Sequence, residues 1–434
     1  MPVDDRMRAQ HQLILDNFEH AATYPAADRW ADVDDIDYLY REYAILARHP
    51  DADRVAAALE QVLGETGLSE EEARQIERVQ VNSGIVRLTV PSTPTLVPDL
   101  IARLDEILGR GVARPDHHVY VCPLPCPAAE PIEVPQGTRD PVPPPGLSAG
   151  HRAIPWPGID GNGVSVSIVD TGLIPDAATD HPWLAGVQGA EENPYTADAD
   201  AGGGEVIAPY AGHGTFVAGV LRCMAPKAQV YVERAFDIAG ADYETNLAVS
   251  LEDALDRNPD ILVFTFTSST HRDQSLHTFD ELYERRIRHM KGMAVLAPAG
   301  NNGTSRPMWP AAYPGVIAVG ALAANWRRRA HFSNHGRWVD VYAPGEDLVN
   351  AFPVGTYVCT EPPIGERRQF HGMAMWSGTS FSTPVVAGLI AARMSQTGEN
   401  AQQAADALLR FACSQSIPGV GPVLYPGQAG CEPG

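Results

Sequence analysis

Five short apolar runs, separated by stretches long enough for helices, constrain the fold of this chain more than any other feature. They lie at residues 164–169, 230–232, 261–264, 294–297 and 316–319. Short, mostly apolar runs predict strands that are covered on both faces, and helix-length spacing predicts parallel connections between them. The sequence therefore predicts a doubly wound α/β domain with a mostly parallel sheet at residues 161–434. Ligands of such domains bind beyond the carboxyl ends of the strands.

A smaller α/β pattern precedes this domain at residues 36–122. Its apolar residues predict two helices and three strands: helices near 51–64 and 96–108, and strands at 43–47, 86–90 and 119–121. Ser69 and Glu72 have the spacing of a capping box, which predicts a further short helix. This alternation predicts a small ferredoxin-like α/β domain, an open-faced sheet with helices on one side.

Two further segments complete the organisation. Residues 1–35 form a charged arm with one short amphipathic helix around Leu13, Leu15 and Phe18, to which we assign no function. Residues 123–160 are rich in proline, which stiffens the backbone and opposes regular structure. We therefore predict a linker at 123–160 that joins the two domains.

The composition excludes several classes of partner. A formal net charge of −22 disfavours nucleic acid and anionic membranes. No apolar run reaches the length of a membrane span. Because no apolar segment follows the charged residues 1–10, we see no signal peptide and expect a cytoplasmic location, with export by another route left open.

The cysteines do not predict a metal site. The chain has six of them, at Cys122, Cys126, Cys223, Cys359, Cys413 and Cys431. Cys413 and Cys431 flank a Gly/Pro-rich tail and are candidates for a disulfide, but free thiols are the expectation for a cytosolic chain. Cys122 and Cys126 have no second pair at zinc spacing, so we expect no zinc knuckle.

One small-residue turn presents a serine directly before an apolar run. Its sequence, from Gly378 to Pro384, is Gly-Thr-Ser-Phe-Ser-Thr-Pro. The glycine permits a tight turn, and we expect Pro384 in the first turn of a helix. Ser380 would then face the positive end of the helix dipole, which suits a nucleophile whose reaction develops negative charge. A helix N-cap is the simpler interpretation of this turn taken alone.

Three other polar motifs lie at predicted strand ends or helix starts. Asp170 follows the first strand, His213 lies between Gly212 and Gly214 before an apolar run, and Asn301 follows the fourth strand. A carboxylate can orient an imidazole, a histidine can act as general base, and an asparagine amide can donate to an oxyanion. Each motif alone is more often a turn or cap, but together they indicate one catalytic site.

In this order the motifs resemble the subtilisin-like serine proteases, the subtilase family. The resemblance covers about residues 160–410 and depends on four stretches: 169–172, 213–219, 299–301 and 378–384. Shorter matches lie at 314–320, 332–334, 339–340 and 343–345. It implies a serine endopeptidase acting through an acyl-enzyme on protein or peptide substrates.

The resemblance also implies a role for each motif. Ser380 is the nucleophile, His213 its base and Asp170 the residue that orients the imidazole. Asn301 and the backbone N–H of Ser380 bind the oxyanion. Because His213 must be neutral to act as base, activity is expected to rise through about pH 6 to 7.

Substrate-binding residues are implied less specifically. Thr265, Phe266 and Thr267 align with the substrate-binding strand, and an extended peptide is expected between them and residues 297–300, which include Ala299 and Gly300. The family usually has glycine at the position of Thr267, so we expect this side chain to crowd a substrate backbone. Phe216 replaces a second histidine without affecting the catalytic ring.

The resemblance also suggests a role for the N-terminal domain. Related proteases often carry a small α/β propeptide that assists folding and inhibits the active site. Residues 38–121 match it in size and element order, so we predict a propeptide-like gating domain that cleavage in the linker releases. A regulatory protein partner is also possible.

No cofactor or metal is predicted. The acidic, glycine-rich stretch 176–210 is expected to be a solvated loop, although many family members bind calcium.

Two alternatives stay open. One is a non-catalytic or self-blocked scaffold that binds peptides or partner proteins. The other is an acid-active serine-carboxyl enzyme, which the intact His213-Gly214-Thr215 disfavours.

Overall fold

The computed structural model describes residues 5–25, 36–93, 95–121, 130–143, 160–197, 204–236 and 238–429. The predictions that fall on Cys122, Cys126 and Cys431, and on linker residues 123–129 and 144–159, lie outside this part of the chain.

The described residues form strands and helices that alternate along much of the chain. In the N-terminal half they are α1 (Asp5–Asn17), β1 (Ala21–Pro25), β2 (Ile36–Arg48), α2 (Ala52–Gly64), α3 (Glu70–Ala73), β3 (Glu77–Gln80), β4 (Ile85–Thr89), α4 (Val97–Leu108), β5 (Ala113–Val121), β6 (Ile132–Glu133), β7 (Ser165–Asp170), α5 (Ala177–Asp180), β8 (Gln188–Gly189), β9 (Tyr195–Ala197) and β10 (Glu205–Ile207). They continue with α6 (His213–Met224), β11 (Gln229–Arg234), β12 (Ala241–Tyr243), α7 (Glu244–Asp256), β13 (Ile261–Phe264), β14 (Phe266–Thr267), α8 (His277–Arg285), β15 (Ala294–Pro298), β16 (Ile317–Leu322), β17 (Val341–Pro344), β18 (Leu348–Val358), β19 (Arg367–Trp376), α9 (Thr379–Thr397) and α10 (Ala401–Ser414).

The predicted parallel sheet is confirmed. Its strand order is β17-β16-β15-β13-β7-β11-β8, and neighbouring strands in this order are parallel. The five apolar runs of the sequence supply strands β7, β11, β13, β15 and β16. Strand β7 lies inside the sheet, so its carboxyl end at Asp170 meets the ends of β11 and β13 at one edge. The first residues of α9 are fully buried at the same edge, and the helix packs against β13 and β15.

The N-terminal domain is an antiparallel sheet with two helices. Its core order is β5-β2-β4-β3, and α2 and α4 pack on each other and on this sheet. The capping box of Ser69 and Glu72 is formed at α3, and Gly109 ends α4 with a positive φ of 92°. The small α/β fold expected here is therefore observed.

Strand β5 joins the two domains. It pairs antiparallel with β12 and with β14, which belong to the parallel-sheet domain, and Tyr120 pairs with both, so β12 and β14 lie on opposite edges of β5. The amphipathic helix of the arm is also observed as α1, with Ile14 buried beside Tyr120.

A third sheet corrects the prediction for the linker. Its order is β6-β19-β18-β10-β9, and β6 lies within the proline-rich segment. Val142 forms two further backbone hydrogen bonds to Val349, of 2.8 and 3.0 Å. Regular structure is possible here because the prolines at 131 and 135 flank the two paired residues instead of interrupting them.

The start of α9 corrects a second prediction. Pro384 lies inside the helix and not in its first turn, because the helix already begins at Thr379. Ser380 is therefore itself in the first turn. The Pro384 ring removes one helix hydrogen bond, so the first turn relies on contacts outside the helix.

Candidate active site

Asp170 and His213 form a buried pair at the edge of the parallel sheet. Nδ1 of His213 lies 2.8 Å from Oδ1 and 2.9 Å from Oδ2 of Asp170, and both side chains are fully buried. The Asp170 carboxylate also accepts a 2.6 Å hydrogen bond from the backbone N–H of Thr171. Because the carboxylate only accepts, the proton lies on Nδ1 of His213.

Glycines on both sides of His213 are required by packing. A Cβ at Gly214 would lie 2.4 Å from the carbonyl oxygen of Gly172, and Gly214 donates to Thr171 Oγ1 at 3.0 Å. A Cβ at Gly212 would lie 2.5 Å from Pro353, and its φ is 80°. The start of α6 can therefore approach the Asp170 turn closely only with glycine at these positions.

Ser380 lies in the same site, at the start of α9. Its Oγ donates to the carbonyl of Thr265, at 3.1 Å, and its side chain is fully buried. The next residue, Phe381, packs its ring 5.0 Å from the ring of His213, centroid to centroid. Trp376 also lies 5.4 Å from the His213 ring. The serine turn and the histidine therefore share one aromatic wall.

Phe216 belongs to this wall. Its ring centroid lies 4.6 Å from that of Phe381 and 5.8 Å from that of Trp376. The replacement of a second histidine by Phe216 thus supplies packing that holds the serine turn against α6.

Asn301 is held with its amide nitrogen available. Its Oδ1 accepts from the backbone N–H and from Oγ1 of Thr379, at 2.9 and 2.8 Å. Its Nδ2 is buried and has no hydrogen-bond partner among the described residues. Because Thr379 precedes Ser380, these bonds fix the amide beside the candidate nucleophile.

Ala299 and Gly300 support this asparagine in the structure. The carbonyl of Ala299 accepts from Asn334 Nδ2 at 2.9 Å, and the N–H of Gly300 donates to Thr379 Oγ1 at 3.2 Å. Gly300 has a φ of 95°, and a Cβ there would lie 2.6 Å from Asn334. Their role in substrate binding stays a prediction.

The groove beside the site contains the chain's own strand β5. Val121 pairs with Phe266 and Tyr120 with Thr267, while Tyr120 also pairs with Ala241 of β12. The chain's own strand β5 therefore lies between β12 and β14, while the position of a substrate peptide between β14 and residues 297–300 stays a prediction. Thr267 does not prevent this backbone pairing, because side chains project from the faces of a sheet and not from its hydrogen-bonding edge.

Glu192 is a candidate residue that the sequence did not reveal. It is 6% exposed, and both of its carboxylate oxygens lie 3.1 Å from the N–H of Gly212, directly before His213. Its pKa is raised to about 8, mainly by burial and also by the neighbouring Asp170, while the hydrogen bond from the Gly212 N–H opposes the rise. The stretch 176–210 is thus not only a solvated loop. The many acidic residues of this stretch do not indicate from sequence alone that Glu192 is the one that is buried.

The cysteines of the described residues are Cys223, Cys359 and Cys413, and all three are free thiols. Within the described ranges no cluster of three or more His, Cys, Asp or Glu side chains is arranged to hold a metal ion. Among the same residues, no helix combines the length and apolarity that crossing a membrane requires.

Comparison with known proteins assigns the chain to a family. The model of the subtilase family matches residues 161–414, more than half of the chain. The chain therefore belongs to the subtilase family.

Curated relatives match over the same region. A thermophilic serine proteinase of Bacillus sp. (strain AK1) is 33% identical over 198 residues, which are 43% of this chain and 44% of that protein. Subtilisin E of Bacillus subtilis (strain 168) is 30% identical over 265 residues, 56% of this chain and 59% of the relative. The matches thus span about half the length of these relatives.

One solved structure matches most of the chain. Fervidolysin from Fervidobacterium pennivorans, described as a keratinolytic enzyme related to subtilisin, aligns with a TM-score of 0.58 at 20% identity. The alignment covers 94% of this chain and 63% of fervidolysin, so the shared fold extends beyond the parallel-sheet domain.

Proposed function

We propose that this protein is a serine endopeptidase with Ser380 as nucleophile, His213 as general base and Asp170 as the orienting carboxylate. The observation that carries the proposal is the buried Asp170–His213 pair, with Nδ1 to Oδ1 at 2.8 Å, sharing an aromatic wall with the Ser380 turn. Membership of the subtilase family supports the same assignment. Protein or peptide substrates follow from it.

In the proposed reaction the Ser380 hydroxyl attacks the scissile carbonyl and its proton passes to Nε2 of His213. The hydroxyl also donates to the Thr265 carbonyl, so its proton must turn from this carbonyl toward His213 before it is transferred. Asp170 stabilises the imidazolium that forms. His213 then protonates the leaving amine, and water hydrolyses the acyl-enzyme with His213 again as base.

The oxyanion of the tetrahedral intermediate would bind to Asn301 Nδ2 and to the Ser380 backbone N–H. The unpartnered, buried Nδ2 supports this role, because a donor without a partner is costly unless a ligand uses it. A donor of this kind contributes roughly 3 to 4 kcal/mol to transition-state stabilisation.

The N-terminal domain would gate this activity. Strand β5 pairs with both β12 and β14, so a substrate cannot add a strand there until β5 leaves. Ion pairs reinforce the position, including Arg114 to Asp280 at 2.8 Å. We therefore propose an autoinhibited full-length chain that becomes active when the N-terminal domain is removed. Because a free cytoplasmic protease would damage the cell, such gating also suits the expected location.

The occupied groove equally favours the second candidate, a permanently self-blocked protein that binds partners. In that case β5 would never leave, and Ser380 would not react.

A comparison of the wild type with Ser380→Ala distinguishes the two candidates. Both are incubated with a fluorophosphonate probe and with a casein substrate, and their intact masses are followed. We expect probe labelling, casein hydrolysis and a cut chain for the wild type only. If the two proteins behave identically in all three measurements, the endopeptidase proposal is wrong and the self-blocked protein is favoured.

A further inference from the structure

One carboxyl, that of Glu192, holds the backbone on both sides of His213. Its two oxygens each lie 3.1 Å from the N–H of Gly212, the residue before the histidine. The N–H of Gly214, the residue after it, donates to Thr171 Oγ1 at 3.0 Å, and the Thr171 hydroxyl in turn hydrogen-bonds to Glu192. Because Oγ1 accepts from Gly214, its own proton is the one donated to Glu192. Both glycines beside the candidate base are therefore connected to one carboxyl.

Glu192 is itself fixed to the turn that carries Asp170. Its backbone N–H donates to the carbonyl of Leu173, and the Leu173 N–H donates to the carbonyl of Ala190, both at 2.9 Å. These two bonds join the chain around Glu192 to the residues just after Asp170. The N-cap of α6 is Gly212, which has no side chain with which to cap the helix. The carboxyl of Glu192 therefore determines how the start of α6 lies against the Asp170 turn.

The carboxyl also faces the charge of the pair that it supports. The charged and titratable groups around it are Asp170 from β7, His213 from α6, Arg234 from the end of β11 and Tyr195 from β9. Burial and the Asp170 charge raise the pKa of Glu192 to about 8, whereas the hydrogen bond from Gly212 opposes the rise. Glu192 is therefore neutral at pH 7, and above pH 8 it carries a second negative charge beside the imidazole.

A cavity of about 230 Å³ beside Glu192 gives this carboxyl a route for proton exchange. Tyr195, Arg234 and Phe236 also line it. The N–H of Phe236 donates to the Asp170 carbonyl at 3.3 Å, so the cavity adjoins the buried pair. Its walls include polar groups, and its volume exceeds that of one water molecule, which is roughly 30 Å³. Glu192 can therefore gain and lose a proton without any opening of the site.

We propose that Glu192 is a positioning residue for His213: it holds the imidazole against Asp170 through the two flanking glycines, and its negative charge, when ionised, stabilises the imidazolium that forms during catalysis. This inference rests on the proposed endopeptidase function. The proton that Glu192 loses passes to solvent, whereas the proton that His213 takes still comes from Ser380. Glu192 therefore changes the strength of the base without entering the proton transfer.

Two substitutions separate the two effects. Glutamine keeps a carbonyl oxygen that accepts from Gly212 but cannot ionise, so Glu192→Gln should retain the position and lose the charge. Alanine removes the acceptor of the Gly212 N–H and of the Thr171 hydroxyl, so Glu192→Ala should lose both the position and the charge. The matched control is Glu191→Gln, since Glu191 is the exposed carboxylate directly before Glu192.

The first measurement is the pH dependence of kcat for a short peptide, from pH 5 to 10. In the wild type and the control we expect the rise through about pH 6 to 7 that a histidine base requires. A second rise, centred near pH 8, should be about two- to fivefold, the size expected when one charge is added near a partly screened imidazolium.

The two variants should depart from this profile in different ways. Glu192→Gln should match the wild type below pH 7 and lack the second rise. Glu192→Ala should lose about ten- to hundredfold in kcat at every pH, because a displaced base reacts poorly. Its KM should change little, because the Glu192 oxygens bond to the protein's own backbone and to Thr171.

The second measurement does not depend on activity. In a Ser380→Ala background the Nδ1 proton of His213 is followed by proton NMR over the same pH range. A charge that appears beside the ring shifts this resonance, so we expect a step near pH 8 in the Ser380→Ala protein. Addition of Glu191→Gln should leave the step in place, and addition of Glu192→Gln should abolish it. A carboxyl with a merely structural role would not produce this step.

The proposal is overturned if the wild type shows no second rise, or if Glu192→Gln shows it as well. It is also overturned if Glu192→Ala retains the wild-type kcat. If Glu192→Ala does not fold, Glu192→Gln still decides the outcome, because it preserves the shape of the side chain. If the wild type hydrolyses no peptide at any pH, the endopeptidase function itself fails, whereas the NMR step still tests the place of Glu192 beside His213.

Discussion

The candidate active site and the domain interface each contain a buried histidine paired with a carboxylate. In the active site His213 Nδ1 lies 2.8 Å from Asp170, and at the interface His117 Nδ1 lies 2.9 Å from Glu244. All four side chains are at most 1% exposed. The Nδ1–carboxylate distance and the burial of the side chains therefore do not distinguish the two sites.

They differ at the second ring nitrogen. Nε2 of His117 accepts the backbone N–H of His271 at 3.0 Å, so this ring donates through Nδ1, accepts through Nε2 and has no position left for a substrate. His213 instead meets the turn that carries Ser380. A carboxylate orients a histidine in both places, but only a second nitrogen near a nucleophile makes a base. At the interface the same pair acts as structural support for β5.

Of the substitutions in the two histidine–carboxylate pairs, Asp170→Asn should have the largest effect, which is a loss of kcat. Asn presents an N–H₂ or a neutral oxygen to His213 and stabilises the wrong tautomer, which should lower kcat by about 10⁴-fold. The matched control is Glu244→Gln, which makes the same chemical change in the interface pair and should not lower kcat. Hydrolysis of a saturating short peptide measures both. If the Asp170→Asn variant hydrolyses the peptide at the wild-type rate, His213 is not the general base.

Exchanging Glu244 for Ala should instead reduce stability. The change leaves the N–H and Nδ1 of His117 and the N–H and hydroxyl of Thr278 without their buried acceptor. We expect the free energy of unfolding to fall by about 3 to 5 kcal/mol. Urea titration in a Ser380→Ala background measures it without self-cleavage.

The control for this prediction is Glu252→Ala on the same helix, α7. Glu252 pairs with Arg285 and Arg286 and is 23% exposed, so its loss should cost about 1 kcal/mol or less. Equal losses for the two variants would contradict a structural role for the interface pair. When Ser380 is left unchanged, the Glu244→Ala variant should also hydrolyse added peptide while its own chain is still intact. The reason is that the loss of Glu244 lets β5 leave the groove more often.

The sequence was sufficient to predict the parallel sheet because its signals are local. The apolar runs of β7, β13 and β15 identify strands without knowledge of their neighbours. Asp170 is the last residue of β7, and Asn301 lies three residues after the end of β15. The glycines around His213 also mark the close approach that packing requires. Their roles in catalysis stay a prediction until activity is measured.

The groove could not be predicted in this way. Strands β12 and β14 contain only three and two residues, too few for a periodic signal, and pair with β5 from another domain. Glu192 has no local signal either, because its burial depends on donors elsewhere in the chain. Charged residues are ordinarily exposed, so sequence reasoning assigns such carboxylates to the surface.

A third histidine at the interface gives the smallest and most specific prediction. His118 is fully buried between the rings of Phe18 and Tyr243, at centroid distances of 4.9 and 4.0 Å, and neither ring nitrogen has a partner among the described residues. Burial lowers its pKa from 6.5 to about 3, and Arg41 contributes to the shift. The folded protein therefore keeps His118 neutral between these pH values, whereas the unfolded chain protonates it. The stability that this provides is present above pH 6.5 and is lost as the pH falls toward 3.

Replacing His118 with Phe removes this one titration and keeps an aromatic ring in place. On acidification from pH 7 to 5.5 the wild type should lose about 1 kcal/mol more unfolding free energy than His118→Phe. Urea titrations at the two pH values, in the Ser380→Ala background, measure the difference. The exposed His371→Phe should show the wild-type dependence. If His118→Phe also follows the wild type, then His118 is protonated in the folded protein, and the interface tolerates a charge that its burial argues against.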